Sequence, residues 1–440
     1  MMPLMASPPL LNDFSQDGQP AAYFPGYPEK WGDETVPLDL SKPEPHMSVR
    51  TIALNDSDDG SLLAVSVVGD VLIYDIPKLE LIRALRGPTR PESLLSITFQ
   101  PGHGEDCKIL VEETHVQSDG RDTSCIRCWD LTDTGSCWDS LTDAAKAATS
   151  TAVETMVERG VCSLDDIDQL KIQNGFLDVL STYLPLEASS NGHTLEGHIK
   201  KTTFQFRRFR RHQNAVVAVN SATLQERYSL IGHTDTVIWA ETSRDDSIIA
   251  TSSWDRTVRL WDATTGQQVR VLTGATTQSW NGAFSPDGKL VSVGAGDGNV
   301  RVWSVEDGQL LHTLDGFNGW VRSLAFSPDG RLLAAGGVGI VRVLDLLTGE
   351  KTQHWRMDME ASKAFYEVRN LFYTSKGLLV FNNGHGLFIT YDEKTNQKGQ
   401  HGYGPESMGS PRGGVALVTP DGRKLIVADI DGCIRFWALD

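Results

Sequence analysis

The stretch GHTDTVIWAETSRDDSIIATSSWDRTVRLWDATTGQQVRVLTG, residues 232–274, decides how the rest of the chain is read. Shifting the sequence by 42 positions carries Trp261 onto Trp303, Asp255 onto Asp297 and Gly274 onto Gly316, and a further 41 places Leu344 at the Trp position. Within the stretch, TVRLWD alternates along a strand, with Val258 and Leu260 facing one way and Thr257, Arg259 and Trp261 the other. Both faces carry bulk, so the sheet is expected to be covered on both sides. A period of this length, with four short strands per unit and a Trp-Asp closing the third, is the signature of radially stacked sheets.

Working outward, the end of the third strand can be followed as Tyr74-Asp75, Trp129-Asp130, Val219-Asn220, Trp261-Asp262, Trp303-Ser304, Leu344-Asp345, Tyr391-Asp392 and Trp437-Ala438. Turn signals recur between first and second strands as DSDDG, SPDG twice, TSKG and TPDG, in which Pro presets one turn position and Gly supplies positive φ at another. Gly232-His233 and Trp261-Asp262 at this spacing resemble the WD40-repeat family. The expected fold is therefore an all-β, WD40-type propeller of eight blades, or seven if Val219 is not counted. The resemblance implies a structural hydrogen-bond network of Trp261, His233, Asp255 and a strand hydroxyl. Ser253 is the choice for that hydroxyl, with Thr251 on the same strand face as the alternative. Family members commonly close the ring by lending the last blade a strand from the N-terminal side. Residues 36–40 are placed to do that, because the chain stops directly after the third strand of its last unit.

Residues 1–34 are rich in proline and polar residues, follow neither a strand nor a helix period, and read as a disordered arm ahead of a propeller at 35–440. The propeller pattern stops between Trp138 and Asn191. Apolar residues at Leu141, Ala145, Ala148, Ala152 and Met156 form a helical stripe there, and the spacing predicts three short helices inserted in the second blade over 139–190.

Of the formal net charge of −17, residues 1–60 carry −7 (three basic, ten acidic) and residues 139–190 carry −6 (three basic, nine acidic), which leaves −4 for the rest. That balance argues against general nucleic-acid binding by the whole molecule. One local exception follows the insertion: KKTTFQFRRFRRH, residues 200–212, has six Lys and Arg, no acid and three interleaved phenylalanines. Arg207, Arg208, Arg210 and Arg211 are candidate phosphate contacts. The competing explanation is a basic edge facing solvent or the acidic insertion.

No catalytic constellation is found. GAGDGN, residues 294–299, is a tight turn without the strand-to-helix context of a dinucleotide fingerprint, and H-E-x-x-H, G-x-S-x-G and phosphate-loop patterns are absent. Cys125 and Cys128 stand three apart on one predicted strand and point to opposite faces, so no metal site is expected. No cofactor is expected either. The expected function is a non-catalytic protein–protein interaction scaffold, monomeric within a larger hetero-complex; the alternative is a nucleic-acid-associated subunit. No apolar run approaches the length of a membrane span and no secretory signal pattern opens the chain, so a cytoplasmic or nuclear protein is expected. Aligning the repeats puts Ile238, Trp280 and Arg322 in one register, Trp320 two residues before Arg322, and Trp254 beside the turn Asp255. Trp254, Trp280, Trp320 and Arg322 are thus the candidate partner-binding rim, with inter-blade packing as the competing role for the tryptophans.

Overall fold

The computed structural model describes residues 10–25, 34–39, 49–54, 62–67, 70–86, 94–100, 108–116, 122–130, 204–208, 214–220, 226–358, 367–368, 370–383, 387–402, 416–428 and 433–439. Among the described residues there is no helix, and the strands form eight sheets of three to five strands plus one two-stranded hairpin. Taken in chain order, sheet I holds Val49–Leu54, Leu62–Val67, Asp70–Asp75 and Glu80–Arg86, and sheet II holds Leu94–Gln100, Lys108–Val116 and Asp122–Asp130. Sheet III holds Phe204–Arg208, Ala215–Asn220 and Glu226–Ile231; sheet IV holds Val237–Thr242, Ile248–Ser253, Val258–Asp262 and Gln268–Leu272. Sheet V runs through Ser279–Phe284, Leu290–Ala295, Val300–Ser304 and Leu310–Leu314, and sheet VI through Ser323–Phe326, Leu332–Gly337, Ile340–Asp345 and Lys351–Met357. Sheet VII contains Leu371–Tyr373, Leu379–Asn382, Phe388–Asp392 and Gln397–His401; sheet VIII contains Ala416–Val418, Lys424–Ala428 and Cys433–Ala438.

Each sheet is an antiparallel meander whose side chains alternate between two apolar faces, so each needs a neighbour on both sides. Where the described residues show the contact, the neighbours are the sheets before and after. The first strand of sheet I touches that of sheet II, those of IV, V, VI and VII touch in succession, and Ala416–Val418 of sheet VIII comes back against Val49–Leu54 of sheet I. The apolar cores lie in the seams. Trp239, Leu260, Val291 and Trp303 fill the seam of IV and V, Val302, Leu314, Leu324 and Leu344 that of V and VI, and Leu63, Val65, Ile426 and Phe436 that of VIII and I. An all-β stack of antiparallel sheets of this kind is consistent with a β-propeller.

The turn chemistry repeats as closely as the strands. Ser285 Oγ donates to Asp287 Oδ1 at 2.6 Å and accepts the Leu290 N–H at 2.9 Å; Ser327, Asp329 and Leu332 repeat this at 2.5 and 2.9 Å, and Thr419, Asp421 and Lys424 at 2.5 and 3.0 Å. The carboxylate thus fixes the hydroxyl that caps the returning strand, which is why S/T-x-D-G recurs between first and second strands.

The fourth strand of sheet VIII is Glu34–Asp39, antiparallel to Cys433–Ala438 with Asp39 opposite Cys433 and Glu34 opposite Trp437. The edge that would expose unpaired backbone groups is closed from the other end of the chain.

Residues 10–25 are not a disordered arm. Leu10–Asn12 pairs antiparallel with Lys351–Met357 as a fifth strand of sheet VI, and Ala22–Tyr23 pairs parallel with Gln397–His401 as a fifth strand of sheet VII. Between them Ser15–Gln16 and Gln19–Pro20 form a hairpin through Asp17-Gly18, both at positive φ (49° and 76°). Phe14, at the start of this hairpin, is fully buried in the seam of VI and VII. Over residues 10–25 averaged composition hides one deeply buried ring, while the sheet edges supply the backbone partners that the segment cannot give itself; residues 1–9 and 26–33 of the expected arm lie outside the described residues. The predicted helical insertion, 139–190, lies outside the described residues.

Candidate functional site

Two constellations matter: a buried polar network inside sheet IV and an aromatic cluster where sheets IV, V and VI meet.

In sheet IV the strand register sets Trp261 opposite Ile249, from where the indole reaches diagonally to the residue two further on. Trp261 Nε1–H donates to Thr251 Oγ1 at 2.9 Å, and Thr251 Oγ1 lies 2.8 Å from His233 Nε2. His233 Nδ1 is 2.8 Å from Asp255 Oδ2, which also accepts the Thr234 N–H at 3.0 Å. With Nδ1–H donating to the carboxylate, Nε2 accepts the Thr251 hydroxyl proton, so every donor in the row has an acceptor. Ser253, expected to supply the hydroxyl, does not. Its Oγ donates to the Asp235 carbonyl at 2.9 Å and accepts the Asp255 N–H at 3.1 Å, so it fastens the end of the strand, one step beyond the indole's reach. Burial by itself would raise the Asp255 carboxyl; hydrogen bonds from His233 and Thr257 outweigh it and hold the group well below the usual carboxylate range. The row is buried, with Thr251, His233 and Trp261 at most 3% exposed.

One repeat on, the row is rewritten. Val293 stands where Thr251 stood and Ala275 where His233 stood. Asp297 instead takes the Arg301 guanidinium, Nη2 to Oδ2 at 2.8 Å and Nη1 to Oδ1 at 3.2 Å, plus Thr276 N–H and Oγ–H at 3.0 and 2.9 Å. Burial works against the charge, but these bonds bring the carboxyl down to about 2.

The aromatic cluster forms because successive repeats place an indole at nearly the same height. The Trp254 and Trp280 ring centroids are 5.8 Å apart and those of Trp280 and Trp320 5.5 Å. Arg322 Cζ lies 4.3 Å from both the Trp280 and the Trp320 centroids, a guanidinium held between two indoles. Its charge is balanced by Glu367 across the next seam, Nε to Oε1 at 3.3 Å, with the acid only 4% exposed. Trp280 is 9% exposed and forms the floor, whereas Trp320 is 44% exposed and forms the lip. Trp320 packs close to Gly296; a Cβ there would come within 2.9 Å of Trp320 Cδ1, so this approach favours glycine. The indole nitrogens of Trp254 and Trp280 are buried and have no hydrogen-bond partner among the described residues. Buried N–H groups without an acceptor are uncommon in native structures and call for a reason.

Of the candidate basic residues, Arg207 and Arg208 fall on the strand Phe204–Arg208, paired with Val217 and Val216; Arg210 and Arg211 lie outside the described residues. Cys125 and Cys128 share the strand Asp122–Asp130, opposite Glu113 and Leu110. Among the described residues no group of His, Cys, Asp and Glu is arranged to hold a metal ion.

Sequence reasoning found the four residues of the cluster by repeat alignment but missed Glu367, which comes from an isolated bridge with Val338 outside the periodic strands. It also missed the hairpin at Asp17-Gly18, although Asp-Gly between two short extended runs is a strong hairpin signal. Compared with known families, three segments of the chain, residues 224–262, 266–304 and 308–343, match the model of the WD domain, G-beta repeat.

Proposed function

We propose that the chain is a non-catalytic scaffold, an eight-bladed propeller that engages a partner protein at the rim formed by Trp254, Trp280, Trp320 and Arg322. Eight sheets of three to five strands among the described residues, seven of the seams between them filled by apolar side chains, support the blade count, and WD repeats in general mediate protein–protein contacts. The observation that carries the site is the pair of indole N–H donors, Trp254 Nε1 and Trp280 Nε1, buried with no acceptor among the described residues, in a cluster whose third indole, Trp320, is 44% exposed. Leaving such a donor unmade costs about 1–3 kcal/mol, which a ligand carbonyl or carboxylate would recover. An extended peptide supplies such acceptors when Trp320 swings aside, and Trp and Arg are the residues in which binding energy concentrates. The acidic stretch 139–190 is the second contact we assign to partners, since it interrupts the repeat and carries −6 of the net charge.

The test is affinity purification with mass spectrometry on the parent, Trp320→Ala, Arg322→Ala and a chain lacking residues 139–190, with each melting temperature recorded. We expect Trp320→Ala to fold like the parent and to lose a specific set of partners. A Trp320→Ala protein that retains every partner of the parent removes the rim from the proposal.

A further inference from the structure

We propose that the seam of sheets VI and VII carries a second peptide-binding site, for an extended segment in which an acidic residue directly precedes an aromatic one. In this structure the chain's own residues 10–24 occupy that site in cis. It lies apart from the tryptophan rim and does not depend on it.

The built features are specific. Phe14 stacks on Tyr391 with centroids 4.2 Å apart and planes 8° from parallel, and meets Phe381 edge-on at 5.9 Å. Trp355 backs Phe381 at 4.9 Å and closes the pocket floor. The following residue is gripped by a buried side-chain amide: Gln353 Oε1 accepts the Ser15 N–H at 3.1 Å, and Nε2 donates to the Ser15 carbonyl at 2.9 Å. The preceding residue, Asp13, pairs with Lys398 Nζ, which also sits 4.6 Å over the Tyr23 ring. Backbone pairing does the rest: the Phe24 N–H donates to the Lys398 carbonyl at 2.8 Å and the Ala22 N–H to the Asn396 carbonyl at 3.1 Å. An aromatic pocket, an amide reading one backbone unit, a cation beside the pocket and two open sheet edges make up a strand-addition site with side-chain specificity.

The occupant is held as a ligand is held, not as a core element. Its two edge strands are three and two residues long, whereas the ring-closing strand Glu34–Asp39 has six. Leu10 and Leu11 on the first of them are 41% and 52% exposed, and Phe14 is the one large side chain of the segment that is fully buried. Segments with so few buried contacts open locally at little cost. When this one opens, it leaves a ring-sized pocket, an unpaired Gln353 amide and an unbalanced Lys398 side chain. The tether to Glu34 gives the cis segment a high effective concentration, so an external peptide competes only when it binds better or when the tether is cut.

The experiment uses the full chain with a specific protease site placed within residues 26–33, cut after folding, and a fluorescein-labelled synthetic peptide of residues 9–25 as the probe. The cut protein should exchange its segment for the probe and bind it at least about tenfold more tightly than the uncut protein does. Phe14→Ala and Asp13→Lys probes should fail, and Asp13→Lys should regain binding on a Lys398→Glu protein. An unrelated peptide with Glu-Tyr in an otherwise scrambled context should bind, because the pocket reads the dipeptide and the backbone. Should the cut protein aggregate, the uncut Phe14→Ala chain serves instead, with the same gain expected for the parent probe. Failure of both proteins to take up the probe, or equal binding of the Phe14→Ala probe, overturns the proposal. A concentration-dependent dimer of the parent would overturn it too, by assigning the pocket to a second copy of this chain.

Discussion

The hydroxyl of Thr251 takes the Trp261 N–H on one side and faces His233 on the other, so Thr251→Val should strand a buried donor and cost about 1–3 kcal/mol by chemical denaturation. Ser253→Ala should leave the indole bond in place, which separates the two serine and threonine roles experimentally. Strand parity narrowed the hydroxyl to these two residues but did not choose between them; the choice depends on how far an indole leans along its strand, which only the packed structure fixes. The rim tryptophans divide in the same way. Trp280→Ala removes a buried ring and should cost about 3–5 kcal/mol, while Trp320→Ala, at a half-exposed lip, should fall near the range of surface substitutions. Periodicity located both rings in the sequence; the difference in their burial comes from Gly296 beneath one and Arg322 between them, contacts no single repeat contains.

Among the elements, the strand that pairs with Cys433–Ala438 was legible because residues 36–40 read as a strand ahead of the first repeat, and the observed Glu34–Asp39 overlaps them. Residues 10–24 were not, because their order comes from edges hundreds of residues away. Both pieces hold sheets together, so deleting residues 1–30 should lower the melting temperature and deleting residues 1–41 should lower it further. Equal melting temperatures for the two deletions would show that the pairing with Cys433–Ala438 contributes little. The turns permit a cleaner test at this scale. Asp287→Ala removes the carboxylate that holds Ser285 Oγ at 2.6 Å; loss of this turn bond should cost about 1 kcal/mol, as for a helix cap built on the same groups.

For the molecule as a whole, pH is the informative variable. Burial pushes the His401 imidazole down to about 4, against an unfolded value near 6.5. Between those values the unfolded chain binds the extra proton and the native chain does not, so stability rises with pH across the window. The contribution is complete above pH about 6.5, is lost as the pH falls to about 4, and amounts to about 3 kcal/mol at most. Urea melts from pH 7 to pH 4.5 should show this slope in the parent and a shallower one in His401→Gln. Deleting residues 139–190, the stretch in which the repeat pattern stops, should leave the pH 7 melt close to the parent's.

The pairing of residue 39 with residue 433 also sets a schedule for the ribosome. At about 5–20 residues per second, the strand that seals the ring is made roughly 20–80 s before its partner exists. Through that interval the strand Glu34–Asp39 has no ladder partner and is competent to pair with a neighbouring polypeptide. Nascent chains stalled before residue 433 should therefore be more protease-sensitive at residues 34–39 than chains released after residue 438.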